Sequence, residues 1–297
     1  MKPFASRLHE SMRAKKSAVC VGLDPRLELL PAPWRHAARG DGIAQAQAFE
    51  EFCVGVLDAV KDVAVAVKPQ AAFFERLRSA GAASLERVIA AAHARGLLVI
   101  ADVKRGDIGT TAEAYAEAWL GGDEFAPLAD ACTVNAYLGG DGVKPFVKAA
   151  TQHGGGLFVL VKTSNPGSAE LQDLVSGEHA ISSHVARLVR SWNERDASGY
   201  GPVGAVVGAT WPAHLIKLRE ELPGSVLLLP GYGAQGAGAA DVVGGFDSEG
   251  LGAVVTASRS VTFPWGTKAA PADWRGMISE AAEQMRVDLD TALQRRG

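Results

Sequence analysis

The chain has 297 residues, 47% of them hydrophobic, which is enough to bury a large core and fits one big α/β domain as well as two smaller ones. Its 30 basic and 33 acidic residues are mixed along the chain and leave a formal net charge of -3, so there is no basic stripe of the kind that nucleic acid or an anionic membrane requires, and a small-molecule partner is expected. The longest apolar run, near Ser225 to Pro230, is far too short to span a bilayer, and MKPFASRLHESMRAKK carries charges where a secretory signal needs apolar residues, so a cytoplasmic protein is expected.

In chain order, Phe4, Leu8 and Met12 stand four apart and predict a helix over about 3–14. The apolar run AVCVGLD from Ala18 predicts a first strand, and Phe49, Phe52, Cys53, Val56 and Val60 predict a helix over 44–61. VAVAVKPQ from Val63 is a second strand, with a helix over 84–95 after it, and LLVIADVK from Leu97 is a third. ACTVNAY from Ala131 and LFVLVKTSN from Leu157 follow, then a helix over 179–195 carrying Ile181, Val185, Leu188 and Trp192 on one face. VGAVVGAT from Val203, SVLLLPG from Ser225 and GAVVTASR from Gly252 complete the strands, and a last helix over about 273–296 starts at the candidate cap Asp273.

The strands are nearly continuous hydrophobic runs, as in parallel sheets covered by helices on both faces. Eight strand-helix units without a low-complexity linker predict a single-domain α/β (β/α)₈ TIM barrel, closed below by the N-terminal helix. The three cysteines, Cys20, Cys53 and Cys132, are odd in number, widely spaced and set among aliphatics, so they are read as buried thiols and not as disulfides or a metal site. No CxxC or HExxH occurs.

In such a barrel the functional groups belong at the carboxyl ends of the strands. There the sequence places Asp24, Lys68, Asp102 with Lys104, Asn135, Ser164 with Asn165, Thr210 and Arg259, whereas the amino ends are mostly apolar. Each alone would be an ordinary polar strand end meeting solvent; together they mark a site. In ADVKRGDIGTT, from Ala101 to Thr111, Asp102 and Lys104 are two apart and expected to share a face. Buried charges need partners, and Lys68 on the neighbouring strand supplies one, which gives an alternating array of Lys68, Asp102, Lys104 and Asp107. Flanked by carboxylates, Lys104 is expected to stay an ammonium, a proton donor and a poor Schiff-base nucleophile. Thr110 and Glu113 have capping-box spacing, which puts Asp107 in the turn before the next helix. A solvated charge run and a purely structural ion network are the competing readings of DVKRGD, and its Arg105-Gly106-Asp107 tripeptide also spells an adhesion motif.

The glycine-rich PGYGAQGAGAA, residues 230–240, and TASRS around Arg259 follow the seventh and eighth strands, where barrels often hold a phosphate on backbone amides. Arg259 would add a charge-assisted contact. A merely flexible loop is the alternative, since the spacing matches neither a P-loop nor a dinucleotide fingerprint.

These segments together resemble the orotidine 5′-phosphate decarboxylases, specifically their bacterial long-chain (type 2) group. The resemblance rests on VGLDPR at Val21, VKPQAAFFE at Val67, DVKRGDIGTTA at Asp102, TVNAYLGGD at Thr133, VLVKTSNPGSAELQ at Val159, LLPGYGAQGA at Leu228 and SRSV at Ser258. It implies decarboxylation of orotidine 5′-phosphate to UMP with no metal or organic cofactor. By position it implies that Lys104 delivers the proton to C6, that Asp102 lies against the substrate carboxylate, and that Lys68 bridges the carboxylates and the ribose. Asp24 would bind a ribose hydroxyl, Asn135 would join the substrate-binding set, Ser164 would read the pyrimidine edge, and Gln235 and Arg259 would grip the phosphate. The resemblance further implies a homodimer in which Asp107 and Thr111 reach the partner's site. Ala136 stands where the family pattern leads one to expect proline. Two rivals stay open: a metal-assisted decarboxylase of a sugar phosphate such as 3-keto-gulonate 6-phosphate, and a non-catalytic phosphate-binding barrel.

Overall fold

The computed structural model describes residues 1–233 and 236–296. Eight strands, β1 (Val19–Leu23), β2 (Ala66–Pro69), β3 (Leu98–Arg105), β4 (Ala131–Val134), β5 (Gly156–Lys162), β6 (Val203–Val207), β7 (Leu227–Pro230) and β8 (Ala253–Ala257), pair in chain order and are all parallel. Val19 of β1 pairs with Val255 of β8, which closes the barrel. β1, β4, β6 and β8 are buried at every position, which is why their sequences run apolar without alternation.

Helices lie between the strands, as the (β/α)₈ pattern predicted. The helix Phe4–Lys15 closes the amino-terminal end: Phe4 meets Phe158 of β5 edge-on at 5.9 Å, and Arg7 pairs with Asp130 just before β4. The last helix, Trp274–Gln294, begins at Asp273, whose side chain accepts from the Gly276 N–H at 3.1 Å. Trp274 at its start packs on Phe52 (5.3 Å) and Trp34 (5.7 Å), and such aromatic pairs contribute about 0.5–1.5 kcal/mol each beyond area burial. No helix among the described residues is long and apolar enough to cross a membrane.

Two local expectations fail. The helix expected over 179–195 starts only at Ile181, because His179–Ala180 pairs antiparallel with Val175–Ser176 in a small hairpin beyond β5. The capping box at Thr110 and Glu113 does not form: the helix Gly109–Leu120 begins two residues earlier than that cap requires, with Ile108 at its cap and no side-chain cap bond. Instead Asp107 Oδ1 accepts from the Ile108 N–H at 2.8 Å, tightening the turn that leads in.

Candidate active site

β2 and β3 deliver the charged cluster. Lys68 Nζ donates to Asp102 Oδ2 at 2.5 Å, and Lys104 Nζ donates to Asp102 Oδ1. Two neutral donors complete the set on the same carboxylate: Gln70 Nε2 to Oδ2 and Thr133 Oγ1 to Oδ1, each at 3.0 Å. The side chains of Lys68 and Asp102 are 8% exposed and that of Lys104 is 46% exposed, so Lys104 is the member a ligand can reach.

The electrostatics follow from this packing. Burial would raise the Asp102 carboxyl, but Lys68 and then Lys104 outweigh it and hold the group well below the usual carboxylate range. Burial would depress the Lys68 ammonium, yet Asp102 and then Asp24 keep it above its usual value. A buried carboxylate set between two ammonium groups is tolerable where the bare ion would not be, and removing one partner of a fully buried pair such as Lys68 and Asp102 typically costs about 3–5 kcal/mol.

The cluster forms one side of a cavity of about 510 Å³. Leu160, Val206, Leu228 and Pro230 from β5, β6 and β7 make an apolar wall opposite the charges, and Thr163, Ser164 and Gln172 add polar groups at the rim. Charged groups facing an aliphatic wall suit a flat, polar-edged ligand. Gly208, just after β6, permits the close approach of this rim: a Cβ there would lie 2.8 Å from the Ser164 Cα.

The sequence-predicted residues separate into groups. Lys68, Asp102, Lys104 and Ser164 line one cavity. Asp24 follows β1 beside Lys68, close enough for its charge to be felt there, and its Oδ1 is buried without a hydrogen-bond partner among the described residues. Asn135 is exposed after β4 and spends its Oδ1 on the Tyr137 N–H at 3.0 Å, and it does not line the cavity. Asp107 is half-buried in the turn before the helix Gly109–Leu120 and Thr111 is exposed in its first turn, and neither contacts the Lys104 ammonium within the chain, so three of the four array members meet here. Arg259 is exposed, directly after β8. Gln235 lies outside the described residues.

Three features went unread in the sequence. Thr133 and Gln70 were absent from the expected site, although both sit one or two residues from a strand's carboxyl end. Lys162, wholly buried at the end of β5, donates to Asp173 Oδ1 at 2.7 Å and to Ser168 Oγ at 3.1 Å, with its Nζ 4.8 Å from the Trp211 ring centroid. Gln172 Oε1 also accepts from the Thr163 N–H at 2.8 Å, so the segment 166–173 is folded back onto the strand end and holds the Ser164 rim in place. A lysine closing the apolar run LFVLVKTSN, as Lys68 closes VAVAVKPQ, was the available signal. The three cysteines are free and buried as expected, and burial pushes the Cys20 thiol up to about 11, far from reactive thiolate.

Among the described residues no group of three or more His, Cys, Asp or Glu is placed to hold a metal ion. The donor set that is present, one carboxylate already carrying two ammonium groups, is unlike the oxygen-rich cage magnesium takes.

Fold and site together define a (β/α)₈ barrel with a lysine-aspartate-lysine cluster at the mouth of a half-apolar cavity. The family model for the Orotidine 5'-phosphate decarboxylase / HUMPS family matches residues 17–264. The chain is 47% identical to the Orotidine 5'-phosphate decarboxylase of Rhodopirellula baltica, covering 97% of this chain and 99% of that protein. It is 44% identical to the protein of the same name in Deinococcus radiodurans, with 98% of each covered. Among solved structures, Leishmania donovani OMP decarboxylase is 34% identical with a TM-score of 0.76, covering 98% of this chain and all of that one, 100%. Leishmania donovani UMP synthase superposes with a TM-score of 0.78 at 34% identity, and there 98% of this chain matches 57% of the longer protein. The chain belongs to the orotidine 5′-phosphate decarboxylase / HUMPS family.

Proposed function

We propose that the chain works in the cytoplasm as one barrel domain that converts orotidine 5′-phosphate to UMP and CO₂ without a cofactor. The observation that carries this reading is the grip of Lys68 and Lys104 on the two oxygens of Asp102, with Lys104 reachable from the cavity. The names of the relatives point the same way.

The chemistry is consistent with that geometry. When the bond from C6 to the carboxylate breaks, its electron pair stays on C6, and no adjacent carbonyl delocalises it as an enolate. A fixed ammonium beside that carbon stabilises the developing charge at no cost of reorganisation. Lys104 then gives its proton to C6, forms the C–H bond of UMP, and is reprotonated from solvent. In this reading Asp102 lies against the substrate carboxylate and Lys68 keeps the acid ionised while facing the ribose. Asp24, whose Oδ1 has no partner among the described residues, would take a ribose hydroxyl, and Ser164 would face the pyrimidine edge. Arg259 and Gln235 would hold the phosphate, whose binding energy would help order the reacting groups. Asn135, with its side chain spent on a turn, is the weakest member of the expected set.

Asp107 and Thr111 make no contact with the cluster of their own chain, which supports the reading that they serve the site of a second copy in a homodimer. Mixing Asp107→Ala with Lys104→Ala protein should restore activity through hybrid dimers with one intact site. No recovery after confirmed subunit exchange would reject the shared site.

The function itself is tested by following the loss of orotidine 5′-phosphate absorbance in EDTA. Undiminished turnover is expected. Turnover only of a keto sugar phosphate with added magnesium would favour the metal-assisted rival, and an inert protein that still binds UMP would favour the non-catalytic barrel.

A further inference from the structure

We propose that Thr133 and Gln70 are positioning residues for the proton-donating lysine: they complete a four-donor clamp on Asp102 and pin the backbone bulge that presents Lys104. This rests on the decarboxylase reading above.

The pairing of β3 with β4 slips at this point. Ala101 faces Cys132 and Arg105 faces Val134, so Asp102, Val103 and Lys104 together oppose Thr133 alone. Such a bulge re-aims a side chain at the expense of regular ladder bonds. Lys104 pays for it in backbone conformation, with φ at +45°, a left-handed value that is strained for a non-glycine residue and persists only where the surroundings hold it.

Thr133 is what holds it. The amides displaced from the ladder, Val103 N–H and Lys104 N–H, both donate to Thr133 Oγ1 at 2.9 Å. With both lone pairs taken, the hydroxyl has one proton left, and it goes to Asp102 Oδ1 at 3.0 Å. One side chain, 1% exposed, therefore fixes both the bulge and the carboxylate.

Gln70 acts on the other oxygen. It follows β2, pairs with Asp102 in an isolated parallel bridge, and donates Nε2 to Oδ2 at 3.0 Å beside Lys68. Each carboxylate oxygen thus accepts from one ammonium and one neutral donor. The torsion that turns a carboxylate plane is soft, so two ammonium groups on flexible stems would leave it free to swing. The neutral donors, anchored near rigid strand ends, remove that freedom, and Lys104 Nζ inherits the fixed position. Proton transfer is sensitive to misplacement of about 1 Å, so loss of the clamp should slow the chemical step more than it weakens binding.

The test compares wild type with Thr133→Ser, Thr133→Val and Gln70→Met, reading kcat, KM, the rate of deuterium exchange into C6 of UMP in D₂O, and Tm. Exchange reports the transfer between Lys104 and C6 without CO₂. Thr133→Val should lose about 100-fold in kcat, with KM changed by less than about threefold, and its exchange rate should fall in parallel. Thr133→Ser, which keeps the hydroxyl, should stay within about fivefold of wild type, and Gln70→Met should lose about tenfold in kcat and exchange. A folded Thr133→Val enzyme with wild-type kcat overturns the inference, as do equal losses in Thr133→Val and Thr133→Ser. Should Thr133→Val fail to fold, Gln70→Met decides, because among the described residues its side chain bonds only to Asp102: wild-type kcat and exchange there overturn the clamp. A wild type inert on orotidine 5′-phosphate would overturn the decarboxylase reading and this inference with it, whereas an active wild type with full-speed variants removes this inference alone.

Discussion

Both ends of the barrel bury charge, but they use it differently. At the amino-terminal end the partners are largely backbone. Arg219 donates to the carbonyls of Gly252 (3.0 Å), Ser225 (2.9 Å), Gly245 (3.4 Å) and Leu222, tying β7 and β8 to the helix before them. Asp130 accepts from the Val99 N–H at 2.8 Å while binding Arg7 and His93, and Arg7 also donates to the Gly154 carbonyl at 3.0 Å. At the carboxyl end Lys68, Asp102 and Lys104 bond to one another and border the cavity. A buried charge spent on main-chain groups stitches elements together, whereas one balanced by other side chains beside a cavity keeps an ion ready for a ligand.

That contrast breaks in measurable ways. The largest effect should come from Lys104→Ala, which should lose at least about 10³-fold in kcat, roughly 4 kcal/mol of transition-state stabilisation, with little change in Tm because this side chain is half exposed. Arg219→Met should do the reverse. By stranding buried carbonyls it should lower unfolding free energy by about 3 kcal/mol in denaturant titrations, while kcat of the folded enzyme holds. A wild-type Tm for Arg219→Met, or a dead but folded enzyme, would erase the distinction between the two ends. Arg259→Ala should raise KM and cost about 2–3 kcal/mol in kcat/KM, the scale of a charged hydrogen bond, and an unchanged kcat/KM would remove Arg259 from the phosphate site.

The smallest effect sharpens the comparison through pH. Asp102 is held below its ordinary 3.8, so its contribution to stability is full above that value and is lost as pH falls below it. Lys68 is held above its ordinary 10.5, so its contribution is full below that value and is lost as pH rises beyond it. The difference in urea stability between wild type and Asp102→Asn should therefore shrink as pH falls below about 4. A difference that stays constant down to about pH 2 would mean that Lys68 and Lys104 do not hold the Asp102 carboxylate ionised.

Much of the barrel was legible because buried parallel strands leave long apolar runs, and eight of these alternate with helical spacing. Lys68, Asp102 and Lys104 were legible because charges at the ends of such runs have few reasons to be there. Two-residue alternation would bring Asp102 and Lys104 together in a regular strand, whereas here a bulge and a left-handed Lys104 do so. Bulges depend on the partner strand, and nothing in ADVKRGD announces Thr133 opposite it. Gln70 and Thr133 are neutral, so they carried no charge anomaly to flag them. Helix starts were misplaced at Thr110 and His179, where a turn bond and a two-residue hairpin, both local, outweighed capping and periodicity.

The most direct test of the central claim is a crystal structure with a UMP analogue bound. The account predicts Lys104 Nζ against C6 of the pyrimidine while still held by Asp102, with Lys68 on the other carboxylate oxygen. A Lys104 side chain turned into bulk solvent, away from both Lys68 and the nucleotide, would contradict it.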